Sequence, residues 1–229
     1  MNNRRRGLTA AGESGPAHGT WEDLFRAIDA GTYATEYALG ELIPLEVAGY
    51  GTVEMQIVAF DADELSDGSG YAPVTLVSKG PLGTTKQKWS TNATNAGGYP
   101  LCTLRTWMNG TIAPKVQAVI GSAHLAEVKK SSYGPANTTN PTTNDPRSTL
   151  WSDDLVWIIS AREYGINTRE NAGPKYNPPM PKSIGISYVL RSTFTTKMST
   201  IDIILDNGNY GADYNYGTAR SIRFGFCVK

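Results

Sequence analysis

Histidine and cysteine, the side chains that most often carry chemistry, are scarce in this sequence. His18 lies in a polar N-terminal segment and His124 lies at the edge of an apolar stretch, so both are expected to be structural or solvated. Cys102 and Cys227 stand in apolar contexts that favour buried free thiols over a disulfide. No His or Cys pairs at zinc-site spacing, no Gly-x-Ser-x-Gly elbow and no P-loop or dinucleotide fingerprint occur. We therefore expect no cofactor and no enzymatic activity.

Carboxylates are the remaining candidates for chemistry. Asp61, Asp63, Glu64 and Asp67 surround a glycine turn, and their oxygens are the ligand type that calcium prefers. Leu65 occupies the third ligand position of an EF-hand-like loop and no glutamate closes it. The segment is predicted to be an acidic hairpin turn, and calcium binding stays open.

A second set of carboxylates flanks a predicted strand. Asp153, Asp154 and Glu163 have the residue types of a glycosidase acid and base pair. Sequence alone does not bring any two of them together, so this hypothesis is the weaker one.

Aromatic and small polar residues are concentrated near the C-terminus. Tyrosine supplies large, rigid contact area and Asn, Ser and Gly supply adaptable hydrogen bonds, a composition typical of recognition surfaces. Two interpretations remain open, a ligand-binding face and ordinary packing of the last strands. The predicted ligand-binding residues are Tyr188, Phe194, Asn207, Asn209, Tyr210, Asp213, Tyr214, Asn215 and Tyr216.

Charge and hydropathy indicate which partners to expect. The formal net charge of the 229 residues is zero, which favours neither nucleic acid nor an acidic membrane. No apolar stretch approaches the ~20 residues of a membrane span, and no secretion signal follows the basic start. Residues 1–19, with Arg4–Arg6, are predicted to be a flexible arm, and residues 20–229 one domain.

Helices are predicted early in the chain. Thr20 is a suitable N-cap with Asp23 three residues later, and Gly31 is suited to end the helix. Residues 101–110 predict a second helix that stops near Gly110, and residues 114–120 a third.

Strands dominate the rest of the prediction. Residues 53–59 alternate with the period of a half-buried strand. Long loops are predicted at 131–148 and 171–181, where Asn, Thr, Pro and Gly are frequent. The order of helices before strands predicts an α+β domain. The remaining predicted strands are 73–78, 124–130, 155–160, 186–191, 201–205 and 221–229.

Several stretches together resemble a family of unassigned function that is common in phages and gut Firmicutes. In this family's order, the matching pieces are Thr20–Leu24, Ala30–Tyr33, Met55–Asp63, Asp67–Gly70 with Thr75, Leu104–Asn109, Val128–Lys129, Asp154–Ser160 with Glu163, Leu190–Ser192 and Phe224–Val228. One departure is Tyr188-Val189, where the family usually has two tryptophans.

The resemblance implies a C-type-lectin-like fold, in which short helices pack on a mostly antiparallel sheet with long loops. Phage tropism determinants and the variable proteins of diversity-generating retroelements share that fold. In it, the C-terminal strands and loops form the ligand-binding face. Trp107, Trp151 and Trp157 would then anchor the core. Arg105 and Arg191 would hold partners such as Asp154 and Glu163.

Function follows from the resemblance as an expectation. The leading hypothesis is a virion-associated or surface adhesin module, located in the virion after assembly in the host cytoplasm. It would bind a bacterial surface glycan or protein, without membrane insertion, as a homo-oligomer such as a homotrimer. The alternative is a structural virion component, such as a head fibre, decoration or tail protein, that docks onto other virion proteins through its N-terminal arm. An oxidase with reactive cysteines is a third hypothesis, which the apolar settings of both cysteines disfavour.

Overall fold

A computed structural model of the chain describes residues 19–91, 95–137, 147–166, 172–176, 180–193, 200–213 and 217–229. The predicted arm lies outside these residues except for Gly19. Within the described ranges, no helix has the length and apolar character needed to cross a membrane.

The helices and strands follow one another in the order helix, strand, helix, strand. The helices are α1 (Trp21–Asp29), α2 (Tyr33–Glu36), α3 (Thr103–Trp107) and α4 (Ala113–Ile120), with a 3₁₀ turn at Tyr99–Leu101 and a π-helical turn at Met108–Ile112. The strands are β1 (Leu42–Val47), β2 (Gly51–Phe60), β3 (Val74–Ser78), β4 (Lys86–Gln87), β5 (Leu125–Ala126), β6 (Val128–Pro135), β7 (Arg147–Asp154), β8 (Trp157–Ile158), β9 (Tyr188–Val189), β10 (Ile201–Ile204), β11 (Tyr210–Asp213), β12 (Arg220–Ser221) and β13 (Phe224–Val228).

The first helix forms for local reasons, as predicted. Thr20 Oγ1 accepts a hydrogen bond from the Asp23 backbone amide at 3.1 Å and so satisfies one of the free amides of the first turn. After the last turn, Gly31 adopts a φ of +69°, which glycine reaches without a steric penalty. The helix buries Trp21 and Leu24 against the sheet.

Removing the helix cap should cost a modest amount of stability. We expect Thr20→Ala to lower the free energy of unfolding by about 1 kcal/mol, because the Asp23 amide loses its acceptor. Urea unfolding measures the change, and Thr20→Ser, which keeps the hydroxyl, is the matched control. Equal losses in both variants would contradict a capping role for the hydroxyl.

The strands form two sheets and one separate hairpin. The first sheet has the order β1-β2-β3-β13-β5, with β8 also pairing β13, and every pair in it is antiparallel. The second has the order β11-β10-β9-β12-β4 and includes one parallel contact, between β9 and β12. Strands β6 and β7 form a separate antiparallel hairpin. The described elements thus form a single α+β domain with mostly antiparallel sheets.

The predicted stop near Gly110 is wrong. The chain continues from α3 through the π-helical turn directly into α4. Met108 and Ile112 are fully buried on either side of the glycine. Their burial outweighs the roughly 1 kcal/mol that a glycine costs inside a helix.

The loop predicted at 131–148 is wrong at both of its ends. Residues 131–135 belong to β6 and pair with β7, which extends in register from Arg147↔Pro135 to Asp154↔Val128. The partner strand lies too far along the chain for a local sequence pattern to show the pairing. Residues 138–146 lie outside the described part, as does much of the loop predicted at 171–181.

Candidate functional site

The predicted C-terminal site is only partly described. Asn207 and Asn209 are exposed in the turn between β10 and β11, where Asn209 donates its backbone amide to Asn207 Oδ1 at 2.9 Å. Tyr210 begins β11 and is half-buried. Asp213 ends β11, and nothing is described of its side chain. Phe194, Tyr214, Asn215 and Tyr216 lie outside the described residues.

Tyr188 is a correction to the predicted surface. Its side chain is fully buried, and its hydroxyl donates to Tyr164 Oη at 2.7 Å and lies 2.9 Å from the Lys182 carbonyl. Tyr188 is therefore a core residue of the second sheet and does not face a ligand. Its aromatic character reflects core packing, the second of the two interpretations that the sequence left open.

A surface groove with two exposed aromatic rings lies elsewhere, beside the β6–β7 hairpin. Trp151 is 52% exposed and Tyr71 is 59% exposed, both unusual for large aromatic side chains. The part of the groove beside Trp151 and Asp153 has a volume of about 450 Å³, within the range of small-molecule sites. The groove is lined by Ala62, Glu64, Tyr71, Lys129, Trp151, Ser152, Asp153, Gly173 and Pro174.

The alternation of the hairpin positions this groove. Trp151 and Asp153 lie two residues apart on β7 and so share one face. Lys129 is directly opposite Asp153 on β6 and is on the same face. The expectation that Trp151 anchors the core is therefore wrong, whereas Trp157, in the next strand β8, is fully buried as predicted.

Backbone contacts hold the two walls of the groove together. The Lys129 amide donates to the Glu64 carbonyl at 2.8 Å, and the two side chains form an ion pair. The hydrogen bond between the two side chains raises the pKa of Lys129. The opposite wall is tied down by Arg162, whose Nε donates to the Gly173 carbonyl at 2.7 Å.

The chemistry of the groove suits a neutral polar ligand with apolar faces. An exposed indole and a phenol offer flat surfaces for stacking, and the Lys129, Glu64 and Asp153 side chains offer donors and acceptors beside them. Sugar rings have this combination of C–H faces and hydroxyl edges. Sequence analysis missed the groove because the strand carrying Trp151 was not predicted; its Trp-Ser-Asp alternation was the available signal.

A second cluster of charged groups is sealed inside the domain. Lys130 Nζ lies 2.6 Å from Asp63 Oδ1 and 2.7 Å from Glu163 Oε1, and all three side chains are at most 1% exposed. Arg191 Nη2 contacts the same Glu163 oxygen at 2.9 Å. Tyr176 Oη accepts from Lys130 at 2.7 Å. Two cations and two carboxylates thus balance one another out of contact with solvent.

The two predicted arginine anchors are confirmed. Arg105 Nε donates to Asp154 Oδ1 at 2.7 Å, and Asn109 Nδ2 donates to the same oxygen at 2.8 Å. Arg191 reaches Glu163 as expected. Because Asp154 and Glu163 are bound to different arginines in different networks, they do not form the exposed pair that a glycosidase needs.

The carboxylates of the acidic turn bind separate partners and do not converge on one point. Asp61 accepts from Tyr33 Oη at 2.7 Å, Asp67 accepts from the Ser69 amide at 2.9 Å, and Asp63 points inward to Lys130. The prediction that these carboxylates belong to an acidic hairpin turn is therefore wrong for Asp63, whose side chain is buried. Among the described residues, no group of three or more His, Cys, Asp or Glu side chains is arranged to hold a metal ion.

His124 and both cysteines have structural surroundings. His124 stacks on Phe25 with ring centroids 3.8 Å apart, which is a structural contact. Cys102 and Cys227 are free and buried, as predicted. Burial raises the pKa of the Cys102 thiol to about 12. A thiol in this state is a poor nucleophile at neutral pH.

The buried cluster makes stability depend on acidity. Burial alone would raise the pKa of Glu163, but Arg191 and Lys130 outweigh it and lower that pKa from 4.5 to about 2. A depressed folded-state pKa stabilises the fold above the unfolded value and loses that effect as pH falls. We expect about 3 kcal/mol of unfolding free energy to disappear between pH 5 and pH 2 from this group. Urea unfolding across that range measures it; a flat profile would contradict the charged state of Glu163.

The chain matches no protein-family model, no curated protein and no solved structure. The geometry of the groove and the resemblance in the sequence are therefore the two observations that bear on function.

Proposed function

We propose that this protein is a non-catalytic binding module of a virion or surface adhesin, which attaches to a bacterial surface glycan through the groove at Trp151. The observation that carries the proposal is the exposure of Trp151, beside a hydrogen-bonding rim, on a hairpin held by backbone bonds. Exposure of a large indole to water is unusual in a domain whose other tryptophans are buried or partly buried. A ligand that stacks on the indole explains the exposure.

The polar composition of the groove favours a glycan over an apolar ligand. The rim carries one ammonium and two carboxylates, from Lys129, Glu64 and Asp153. These groups bind hydroxyls well, and their mixed charge disfavours a strongly anionic ligand. A surface protein is the alternative ligand class, and the exposed turn at Asn207 and Asn209 is the alternative contact.

Lack of catalysis is part of the proposal. Among the described residues that line the groove there is no His or Cys, and the strongly perturbed carboxylate Glu163 is sealed away from it. The resemblance to C-type-lectin-like virion proteins supports the location in a particle. In such a particle a homotrimer would present several weak sites at once and convert them into firm attachment.

Binding of labelled protein to a panel of bacterial strains tests the proposal. The protein is displayed on streptavidin to supply multivalency, and the bound fraction is measured with and without each strain's purified surface polysaccharide. We expect saturable binding to some strains, and competition by the polysaccharide of those strains only. Binding that protease treatment of the cells abolishes would identify a protein ligand instead.

The alternative function is a structural virion component that docks through residues 1–19. Binding to no strain in multivalent form, together with loss of particle incorporation in a chain that starts at Gly19, would favour it. This outcome would reject the adhesin proposal.

A further inference from the structure

Lys130 is a primary amine held between two carboxylates in a sealed site. Its Nζ lies 2.6 Å from Asp63 Oδ1 and 2.7 Å from Glu163 Oε1. The ring of Trp157 covers it, with its centroid 4.0 Å from Nζ. Within the described residues, the amine, the Asp63 carboxyl and the Glu163 carboxyl are thus in contact, and bulk water is excluded from all three.

The two oxygens of Asp63 have different surroundings. Oδ1 faces the Lys130 amine, whereas Oδ2 accepts from Thr75 Oγ1 at 2.7 Å and lies 3.1 Å from Tyr176 Oη. The Thr75 hydroxyl on Oδ2 withdraws electron density from the carboxyl carbon and would stabilise negative charge on that oxygen during attack. The Tyr176 hydroxyl is equally close to Glu163 Oε1, at 3.1 Å. Oδ1 is then the oxygen in position to leave.

We propose that Lys130 and Asp63 condense within the folded protein to form an intramolecular isopeptide bond, with Glu163 relaying the protons. Lys130 Nζ attacks Asp63 Cγ, so that a C–N bond forms and the Cγ–Oδ1 bond breaks. The ammonium and carboxylate together supply all the atoms: Oδ1 leaves as water with two of the three protons of Nζ, and the third remains on the amide. One proton passes directly from Nζ to Asp63 Oδ1 and converts the carboxylate into the neutral acid that an amine can attack. Glu163 Oε1 takes the second proton from Nζ and returns it to the departing oxygen. No oxidant or other reactant is needed.

Electrostatics favours the product over the buried ion pair. Condensation replaces two buried charges by a neutral amide, and the remaining Glu163 and Arg191 form a balanced pair at 2.9 Å. Proximity lowers the barrier, because the reacting groups are held in contact and water is excluded.

The protonation state of Lys130 opposes the reaction and sets its pace. Burial alone would lower the pKa of Lys130, but the Asp63 and Glu163 carboxylates outweigh it and raise that pKa. The neutral amine is therefore a minor form, reached when Nζ passes a proton to Asp63 Oδ1. We expect a slow reaction that follows folding and is complete on storage, instead of one that accompanies folding.

The bond would tie together two parts of the fold that are distant in sequence. Asp63 lies in the connection between β2 and β3, and Lys130, 67 residues later, lies in β6 beside the groove. A covalent closure of that length strongly restricts the unfolded chain. Such a link would suit a module that bears mechanical load while attached.

The intact mass of the full chain tests the inference. Purified, folded protein is expected to weigh one water less than its sequence predicts, and a tryptic digest is expected to contain a branched peptide joining the segment with Asp63 to the segment with Lys130. Lys130→Arg keeps the positive charge but has no primary amine, so it is expected to show the full mass. Glu163→Gln is expected to remain mostly unlinked after the time in which the wild type is complete.

Three results would overturn the inference. The first is a full sequence mass in folded wild-type protein after prolonged incubation, which requires no variant to fold. The second is an equal loss of water in Lys130→Arg. The third is fragmentation that places the lost water elsewhere, as in a cyclic imide at Asp67-Gly68.

Discussion

Arg191→Met is expected to lower the free energy of unfolding by about 3–5 kcal/mol. The guanidinium is 1% exposed and donates in three directions: to the Ser131 carbonyl at 2.7 Å, to the Ile158 carbonyl at 2.6 Å and to Glu163 at 2.9 Å. Methionine fills similar volume but leaves these acceptors without their donor. The Glu163 carboxylate then stays buried without the guanidinium that contacts it at 2.9 Å.

Urea unfolding at neutral pH measures this loss. Arg26→Met is the matched control, because Arg26 pairs with Asp23 on the surface of α1 and should contribute less than about 1 kcal/mol. Arg191→Lys is informative as well: it keeps the charge but lacks the planar fork, so it should recover only part of the loss. A loss below 1 kcal/mol in Arg191→Met would contradict the structural role of the cluster.

Trp157→Ala is expected to destabilise the protein by about 3–5 kcal/mol, whereas Trp151→Ala should change stability by less than about 0.5 kcal/mol. The first indole is fully buried between the first sheet and the ionic cluster, and the second is half exposed on the hairpin. Thermal and urea unfolding of the two variants side by side provide the measurement. Similar losses in both would mean that Trp151 packs in the core and would remove the groove's main feature.

Local signals were predictable from the sequence. The first helix depends on Thr20, Asp23 and Gly31, which are neighbours along the chain, and each has the conformation that its residue type favours. That Arg105 and Arg191 would bind acceptors such as Asp154 and Glu163 was also predictable, but which arginine binds which carboxylate was not. Both Arg105 and Arg191 have the predicted partners.

The register of β6 against β7 was not predictable, and this register decides which side chains of the two strands are buried and which line the groove. Lys129 and Lys130 are adjacent and look alike in the sequence, but β6 directs them to opposite faces. One pairs with Glu64 at the surface and the other with Asp63 in the interior. The same alternation along β7 places Trp151 on the exposed face. Because β7 pairs with β6 across a connection of more than ten residues, no local pattern shows which face is buried.

Tyr188 illustrates a different limit of sequence reasoning. The composition of the C-terminal region predicts a recognition surface for a set of aromatic residues, but it does not say which of them pack in the core. In β9 Tyr188 is covered on both sides and packs with Tyr164, with ring centroids 6.2 Å apart. The sequence does not distinguish a tyrosine that packs a sheet from one that displays its ring.

The affinity of Trp151→Ala for a bacterial strain that binds the wild type tests the central proposal most directly. Each protein is titrated in the same multivalent form, and Val119→Ala, which shortens an exposed side chain on α4, is the matched control. We predict at least a tenfold loss of affinity for Trp151→Ala, with unchanged thermal unfolding, and no change for Val119→Ala. Wild-type affinity in a folded Trp151→Ala protein would contradict the groove as the site of attachment.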